Sequence, residues 1–202
     1  MSKLNIAVLV SGSGSNLQCI IDACESGSID AAVKIVISDR QEALGLERAK
    51  KKGIRAEFVD FKSFSGREEH EKACSALIDS ECCGLVCLAG YMRLVTGWFV
   101  RKYQGRIMNI HPALLPAFPG AHAHRDVLAY GAKVSGCTVH FVDEEMDSGP
   151  IIIQTSVKVL ESDTEETLGK RVLELEHKAY LEAIKLFSEG RLEISGRKVR
   201  VK

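Results

Sequence analysis

Short apolar runs alternate with helix-period segments along most of the chain. Leu4–Val10 (LNIAVLV) is a short, largely apolar run, suited to a strand covered on both faces. It runs into Ser11-Gly12-Ser13-Gly14-Ser15-Asn16, and Leu17, Ile20, Ile21 and Cys24 then recur at helical spacing. Ala32–Ser38, Arg55–Val59, Gly84–Ala89 and Arg106–Ile110 read as further strands. Gln41–Lys52, Arg67–Ser80 and a segment capped by Thr96 and running to Tyr103 read as the intervening helices. A short helix over Ala121–Tyr130 follows. Cys137–Val142 alternates Cys137, Val139 and Phe141 with Thr138, His140 and Val142, so one strand face is expected to turn toward a cleft. Ile151–Val159 can pair with it as an antiparallel hairpin across Asp147-Ser148-Gly149-Pro150. Leu168, Val172, Leu175, Ala179, Ile184 and Phe187 form the apolar stripe of a long helix over Thr164–Phe187, and Arg191–Val201 closes as a hairpin at Ser195-Gly196.

Strands alternating with helices predict an α/β fold. The expected form is an open, mostly parallel, Rossmann-like sheet with helices on both faces and an antiparallel C-terminal part. The 202 residues suit one domain with a substantial core. Lys plus Arg and Asp plus Glu are 27 each, so no global basic excess points to nucleic acid. The apolar runs are too short to span a bilayer, and the N-terminus lacks a secretory pattern. The 7 cysteines lie largely in apolar runs, with Cys82 and Cys83 adjacent and no C-x-x-C pair. They read as reduced core thiols of a cytoplasmic protein.

Chemistry concentrates between Ile107 and Gly149. Asn109 and His111 are two residues apart on a strand end and so share a face. An asparagine amide can stabilise an oxyanion, and a histidine can exchange a proton near neutral pH. Asp147, at the far end of the stretch, can orient that imidazole or favour its charged form. No cysteine sits as a nucleophile would and no Gly-x-Ser-x-Gly elbow occurs, which favours direct group transfer. His122 and His124 show no further zinc-ligand pattern.

The Gly/Ser turn after the first strand reads either as an anion site or as a plain capped βα turn. Gly12-x-Gly14 followed by Asp39 also mimics a dinucleotide fingerprint, but Leu17 occupies the third glycine position. A non-catalytic dinucleotide-binding regulator is therefore the rival from another class. Arg67, at a helix start, is either a solvated side chain or a ligand for a carboxylate. Tyr91 and Met92 either close the core or line a pocket for a flat ring.

Four motifs in order carry a resemblance: Ser11–Asn16; Leu88-Ala89-Gly90-Tyr91-Met92-Arg93; Asn109-Ile110-His111-Pro112-Ala113-Leu114-Leu115-Pro116; and Asp147-Ser148-Gly149-Pro150. The chain resembles the phosphoribosylglycinamide formyltransferases from Ile6 to near Phe187. The resemblance implies a single formyltransferase domain over 1–202, with a phosphate-binding half about 1–105 and a catalytic, folate-binding half about 106–190. It implies formyl transfer from 10-formyltetrahydrofolate to the amino group of glycinamide ribonucleotide, in de novo purine synthesis, without a metal. Asn109, His111 and Asp147 would be catalytic; Gly14, Ser15, Asn16 and Glu176 would hold the nucleotide. Arg67, Met92, Arg93, Leu94, Val95, Asn109, Val142, Asp143, Glu144 and Asp147 would hold the folate. The partners implied are these two small molecules, without nucleic acid or membrane, on a monomer or homodimer. Two relatives share the Asn/His/Asp set. Formyltetrahydrofolate deformylase normally adds an N-terminal regulatory domain, and methionyl-tRNA formyltransferase a C-terminal one. A chain that starts directly at its first strand is expected to be neither.

Overall fold

A computed structural model describes residues 3–202. The chain divides into two compact units, one ending at Met108 and one covering Asn109–Lys202.

The first unit runs β1 (Leu4–Val10), α1 (Ser15–Glu25), β2 (Ala31–Ser38), α2 (Leu44–Lys51), β3 (Arg55–Phe58), a 3₁₀ turn at Phe61–Ser63, α3 (Arg67–Ser80), β4 (Leu85–Leu88) and α4 (Gly97–Lys102). Its strands lie in the order β3-β2-β1-β4, all parallel. β1 is central, and Ile6–Val10 are fully buried, as their unbroken apolar run requires. Right-handed crossovers place α1 and α2 on one face and α3 on the other, because the chain steps outward from β1 to β3 and then returns to β4. The reversal leaves the tips of β1 and β4 as a switch point, where an open α/β sheet makes room for ligands.

β5 (Ile107–His111) leads into the second unit, which continues with α5 (Ala123–Tyr130), β6 (Val134–Phe141), β7 (Ile151–Lys158), α6 (Glu165–Ser188), β8 (Leu192–Ser195) and β9 (Lys198–Val201). β6 and β7 form the expected antiparallel pair, with Cys137 opposite Thr155 and Val139 opposite Ile153. β9 joins β7 in parallel and β8 returns against it. Gly149 closes the β6–β7 connection against the backbone: a Cβ there would lie 1.8 Å from the Phe141 carbonyl oxygen. Thr164 and Thr167 cap α6 reciprocally, and its buried Leu168, Val172, Ala179 and Ile184 face β6 and β7. Each fully buried aliphatic side chain of that stripe contributes about 1.5–3 kcal/mol.

The α/β class, the parallel strands and the antiparallel C-terminal part are as the apolar pattern predicts. One strand face differs. β6 is buried from Ser135 to Phe141 on both faces, including Thr138 and His140. The Pro112–Gly120 loop covers the polar face. The Thr138 hydroxyl donates to the Ala113 carbonyl at 2.6 Å and accepts the Leu115 N–H at 3.0 Å.

Candidate active site

In the second unit, His111 ends β5 with its side chain 5% exposed. Its Nε2 lies 2.8 Å from the Phe118 carbonyl oxygen, which can only accept, so Nε2 carries a hydrogen. Its Nδ1 lies 3.4 Å from Asp147 Oδ2. A neutral ring would then turn a lone pair on a carboxylate. A ring carrying a hydrogen on Nδ1 as well would form an ion pair with Asp147 across that distance. The Gly120 N–H donates to the same Asp147 oxygen at 2.8 Å and fixes the carboxylate. Asp147 adopts φ +52°, a conformation that aspartate and asparagine tolerate better than most residues.

Asn109, half-buried on the same strand, meets His140 from β6. His140 Nδ1 donates to the Phe141 carbonyl at 2.9 Å, which leaves Nε2 bare. Asn109 Nδ2 donates to that nitrogen at 3.2 Å. Burial lowers the His140 pKa, keeping the ring neutral and able to accept. His140 Nε2 also stands 3.9 Å from Asp147 Oδ1. Two histidines on neighbouring groups thus carry opposite tasks: one ring suited to a charge, the other held neutral to orient an amide.

The sequence trio therefore meets in space, joined by His140 from the alternating strand and by Phe118 and Gly120, which the sequence did not single out. His122 is exposed at the start of α5. His124 is half-buried, its pKa lowered by burial, and the side of its ring lies against Gly169 of α6. Among the described residues, no three His, Cys, Asp or Glu side chains gather as a metal site would require. Glu176 is buried on α6, and its charge adds to the burial that pushes the Cys137 thiol up to about 12. Val142 and Asp143 are half-buried and Glu144 is exposed; Asp143 Oδ1 accepts the Glu145 N–H at 3.2 Å.

In the first unit, Gly14 occupies the N-cap of α1 at φ +67°, ψ 31°, with no side-chain cap. Ser15, Asn16 and Leu17 therefore open the helix with amides that no intrahelical carbonyl can take. The turn is held from below by α2. The Gly45 N–H donates to the Gly12 carbonyl at 3.1 Å and Arg48 Nε to the Ser13 carbonyl at 2.8 Å. A Cβ on Gly14 would stand 2.7 Å from Gly45 Cα, so glycine is required for fit as well as for φ. Above lies a cleft of about 310 Å³, lined by Ser11–Asn16, Arg40, Ala89, Gly90 and Met92. Arg40, exposed beyond β2, adds a cation to the cleft that no sequence motif marked.

Its neighbour, Asp39, does not face the cleft as a ribose-binding acid would. It is buried, accepting from Ser11 Oγ and Arg93 Nε. The dinucleotide reading thereby loses its acid. Met92 and Leu94 are exposed, 62% and 54%, and Val95 is half-buried; Arg67 is exposed at the start of α3. The Arg93 side chain, half-buried, reaches onto Asp39 and the Phe61 ring.

Comparison with known proteins agrees with this arrangement. The formyl transferase family model matches residues 4–184. Phosphoribosylglycinamide formyltransferase of Escherichia coli (strain K12) is 44% identical over 191 residues, covering 95% of this chain and 90% of that protein. The trifunctional purine biosynthetic protein adenosine-3 of Gallus gallus is 42% identical over 193 residues; the match covers 96% of this chain but only 19% of that protein. Among solved structures, glycinamide ribonucleotide transformylase 1 from Symbiobacterium toebii superposes with a TM-score of 0.97 at 52% identity, covering 99% of this chain and 94% of that one.

Proposed function

The chain belongs to the formyl transferase family, and from that premise we propose that it transfers the formyl group of 10-formyltetrahydrofolate to the amino group of glycinamide ribonucleotide. The observation that carries this reading is the His111 ring set between Asp147 and the Phe118 carbonyl, beside an Asn109 amide oriented by His140. That set suits an acyl transfer through a tetrahedral oxyanion, with neither a protein nucleophile nor a bound redox group.

The substrate amine attacks the formyl carbon and a C–N bond forms. Asn109 donates its amide hydrogen to the developing oxyanion, and the positive His111 ring adds charge stabilisation. Asp147 favours that charge and holds the ring's orientation. Collapse breaks the bond from carbon to the folate nitrogen. The attacking nitrogen gives up a proton and the leaving nitrogen gains one, so the products are the formylated amide and tetrahydrofolate.

Gly14, Ser15 and Asn16 take the nucleotide phosphate at the helix start, where the α1 dipole favours an anion, with Arg40 as an added cation; Glu176 holds the glycinamide or ribose end. Arg67, Met92–Val95, Asn109 and Val142–Asp147 hold the folate. Arg93 contributes through its backbone, its guanidinium being engaged by Asp39. Phosphate binding thus falls to the first unit and chemistry to the second, within one formyltransferase domain over 1–202. A cytoplasmic location fits its seven cysteines, none of which is in a disulfide, as a reducing compartment keeps them. It acts on small molecules rather than nucleic acid or membrane, as a monomer or homodimer.

The test is a formyl-transfer assay with glycinamide ribonucleotide, water or initiator tRNA as acceptor. Loss of the folate formyl group that requires glycinamide ribonucleotide is expected. Equal loss with water alone would make the protein a deformylase, and transfer only to tRNA would overturn the nucleotide assignment.

A further inference from the structure

The side chain of Asp39 is 3% exposed at the end of β2, yet it keeps both carboxylate oxygens occupied. Ser11 Oγ donates to Oδ1 at 2.6 Å, and Arg93 Nε donates to Oδ2 at 2.7 Å. Ser11 has one hydroxyl proton. Having given it to an acceptor-only carboxylate, it turns a lone pair outward and accepts the Met92 N–H at 2.9 Å. The Ser11 N–H donates to the Gly90 carbonyl at 3.1 Å. The Arg93 guanidinium lies 3.8 Å from the centre of the Phe61 ring, which fixes its other side. One buried carboxylate therefore sets the direction of the side-chain hydrogen bonds, through Ser11 Oγ and Arg93 Nε, that link the tips of β1, β2 and β4.

Those tips are not inert. Ser11 begins the turn that opens α1, and both Ser11 and Met92 line the 310 Å³ cleft. Met92 also begins the exposed Met92–Val95 segment. A charged group buried this deeply is costly unless its partners are well placed, and these bonds are charge-assisted. We propose that Asp39 is a positioning residue for both substrate subsites. Through Ser11 and Arg93 it locks the Met92–Val95 segment, the wall for the formyl donor, in register with the Ser11–Asn16 turn, the seat of the phosphate. This rests on the formyl-transfer reading for what the two subsites hold. The tie itself rests on the hydrogen bonds alone.

The experiment compares wild type with Asp39→Ala and Asp39→Asn in steady-state kinetics with each substrate varied, and in amide hydrogen exchange at Met92. Asp39→Ala is expected to raise KM for both substrates about tenfold each, one lost charge-assisted bond serving the Ser11 side and the other the Arg93 side, with kcat within about twofold. Exchange at Met92 should accelerate. Asparagine keeps an oxygen for Arg93 and can donate to Ser11, so Asp39→Asn should recover part of the loss. A wild type that transfers no formyl group would sink the function, while Met92 exchange still decides the tie. An active wild type whose Asp39→Ala variant keeps both KM values and Met92 protection overturns the proposal, as does a fall in kcat alone. Should the alanine variant not fold, the same measurements on Asp39→Asn and Ser11→Ala decide it by the same criteria.

Discussion

Asp147→Asn isolates the charge beside His111. The variant is chosen from the backbone: Asp147 sits at φ +52°, which asparagine accepts, whereas alanine there would add about 1–2 kcal/mol of strain. Asparagine can also keep a carbonyl oxygen on the Gly120 N–H, now 2.8 Å from Oδ2, so the turn survives. What disappears is a negative charge 3.4 Å from His111 Nδ1, between side chains only 5% and 12% exposed. Two unit charges at that distance attract by about 5 kcal/mol at an effective dielectric near 20, which sets a ceiling. The asparagine dipole recovers part of it, and only the share that grows as charge develops on the substrate affects the rate. The expected fall in kcat is therefore about 10²–10³-fold, or roughly 3–4 kcal/mol of transition-state stabilisation. KM values and the melting temperature should stay close to wild type. The assay is steady-state formyl transfer at saturating concentrations of both substrates, with thermal melting as the fold control. A folded Asp147→Asn protein with kcat within about threefold of wild type would refute both the pairing and the electrostatic role derived from it.

Three further outcomes follow from particular contacts. His140→Ala removes the acceptor that orients Asn109, and kcat should fall about 10- to 100-fold, the cost of a freed buried hydrogen bond, with the melting curve reporting fold; unchanged kcat would detach His140 from the chemistry. Gly14→Ala places a Cβ 2.7 Å from Gly45 Cα at φ +67°, so stability should drop by about 2–4 kcal/mol in denaturant unfolding, and a loss under about 0.5 kcal/mol would contradict the close packing. His70 and His140 are buried with pKa values lowered by burial, so they stay neutral in the fold while the unfolded chain takes up protons near pH 6.5. Stability is then fully present above that pH and falls as pH drops below it. The slope is up to about 1.4 kcal/mol per pH unit for each ring until the folded rings themselves protonate. Urea titrations between pH 7.5 and about 5.5 check this, and stability that holds or rises on acidification would show that other groups dominate.

Much of the scaffold was legible because its signals are local. The apolar run Ile6–Val10 can be satisfied only by burial on both faces, and the stripe from Leu168 to Ile184 only by a helix laid on a sheet. Thr164 and Thr96 marked helix starts for reasons contained within one turn. The motifs around Ser11–Asn16, Asn109–His111 and Asp147–Pro150 placed the candidate chemistry as well. A strand tip followed by glycines, or an Asn and His two residues apart, states its geometry in its spacing. What the spacing could not state was which distant groups complete each site. Asn109 and His140 are 31 residues apart, and Ser11, Asp39 and Arg93 span β1, β2 and β4. Strand order and register bring them together, and neither is written in a period of two or of 3.6. Asp39 shows the consequence: its place at the end of β2 mimicked the acid of a dinucleotide fingerprint, but packing turned it inward onto Ser11 and Arg93. The polar face of β6 shows the same, since the Pro112–Gly120 loop covers what alternation alone left open. The chain's own pattern determined the elements and the reactive residue types. Tertiary structure decided protonation, orientation and partnership, because those depend on burial and on contacts across the sheet.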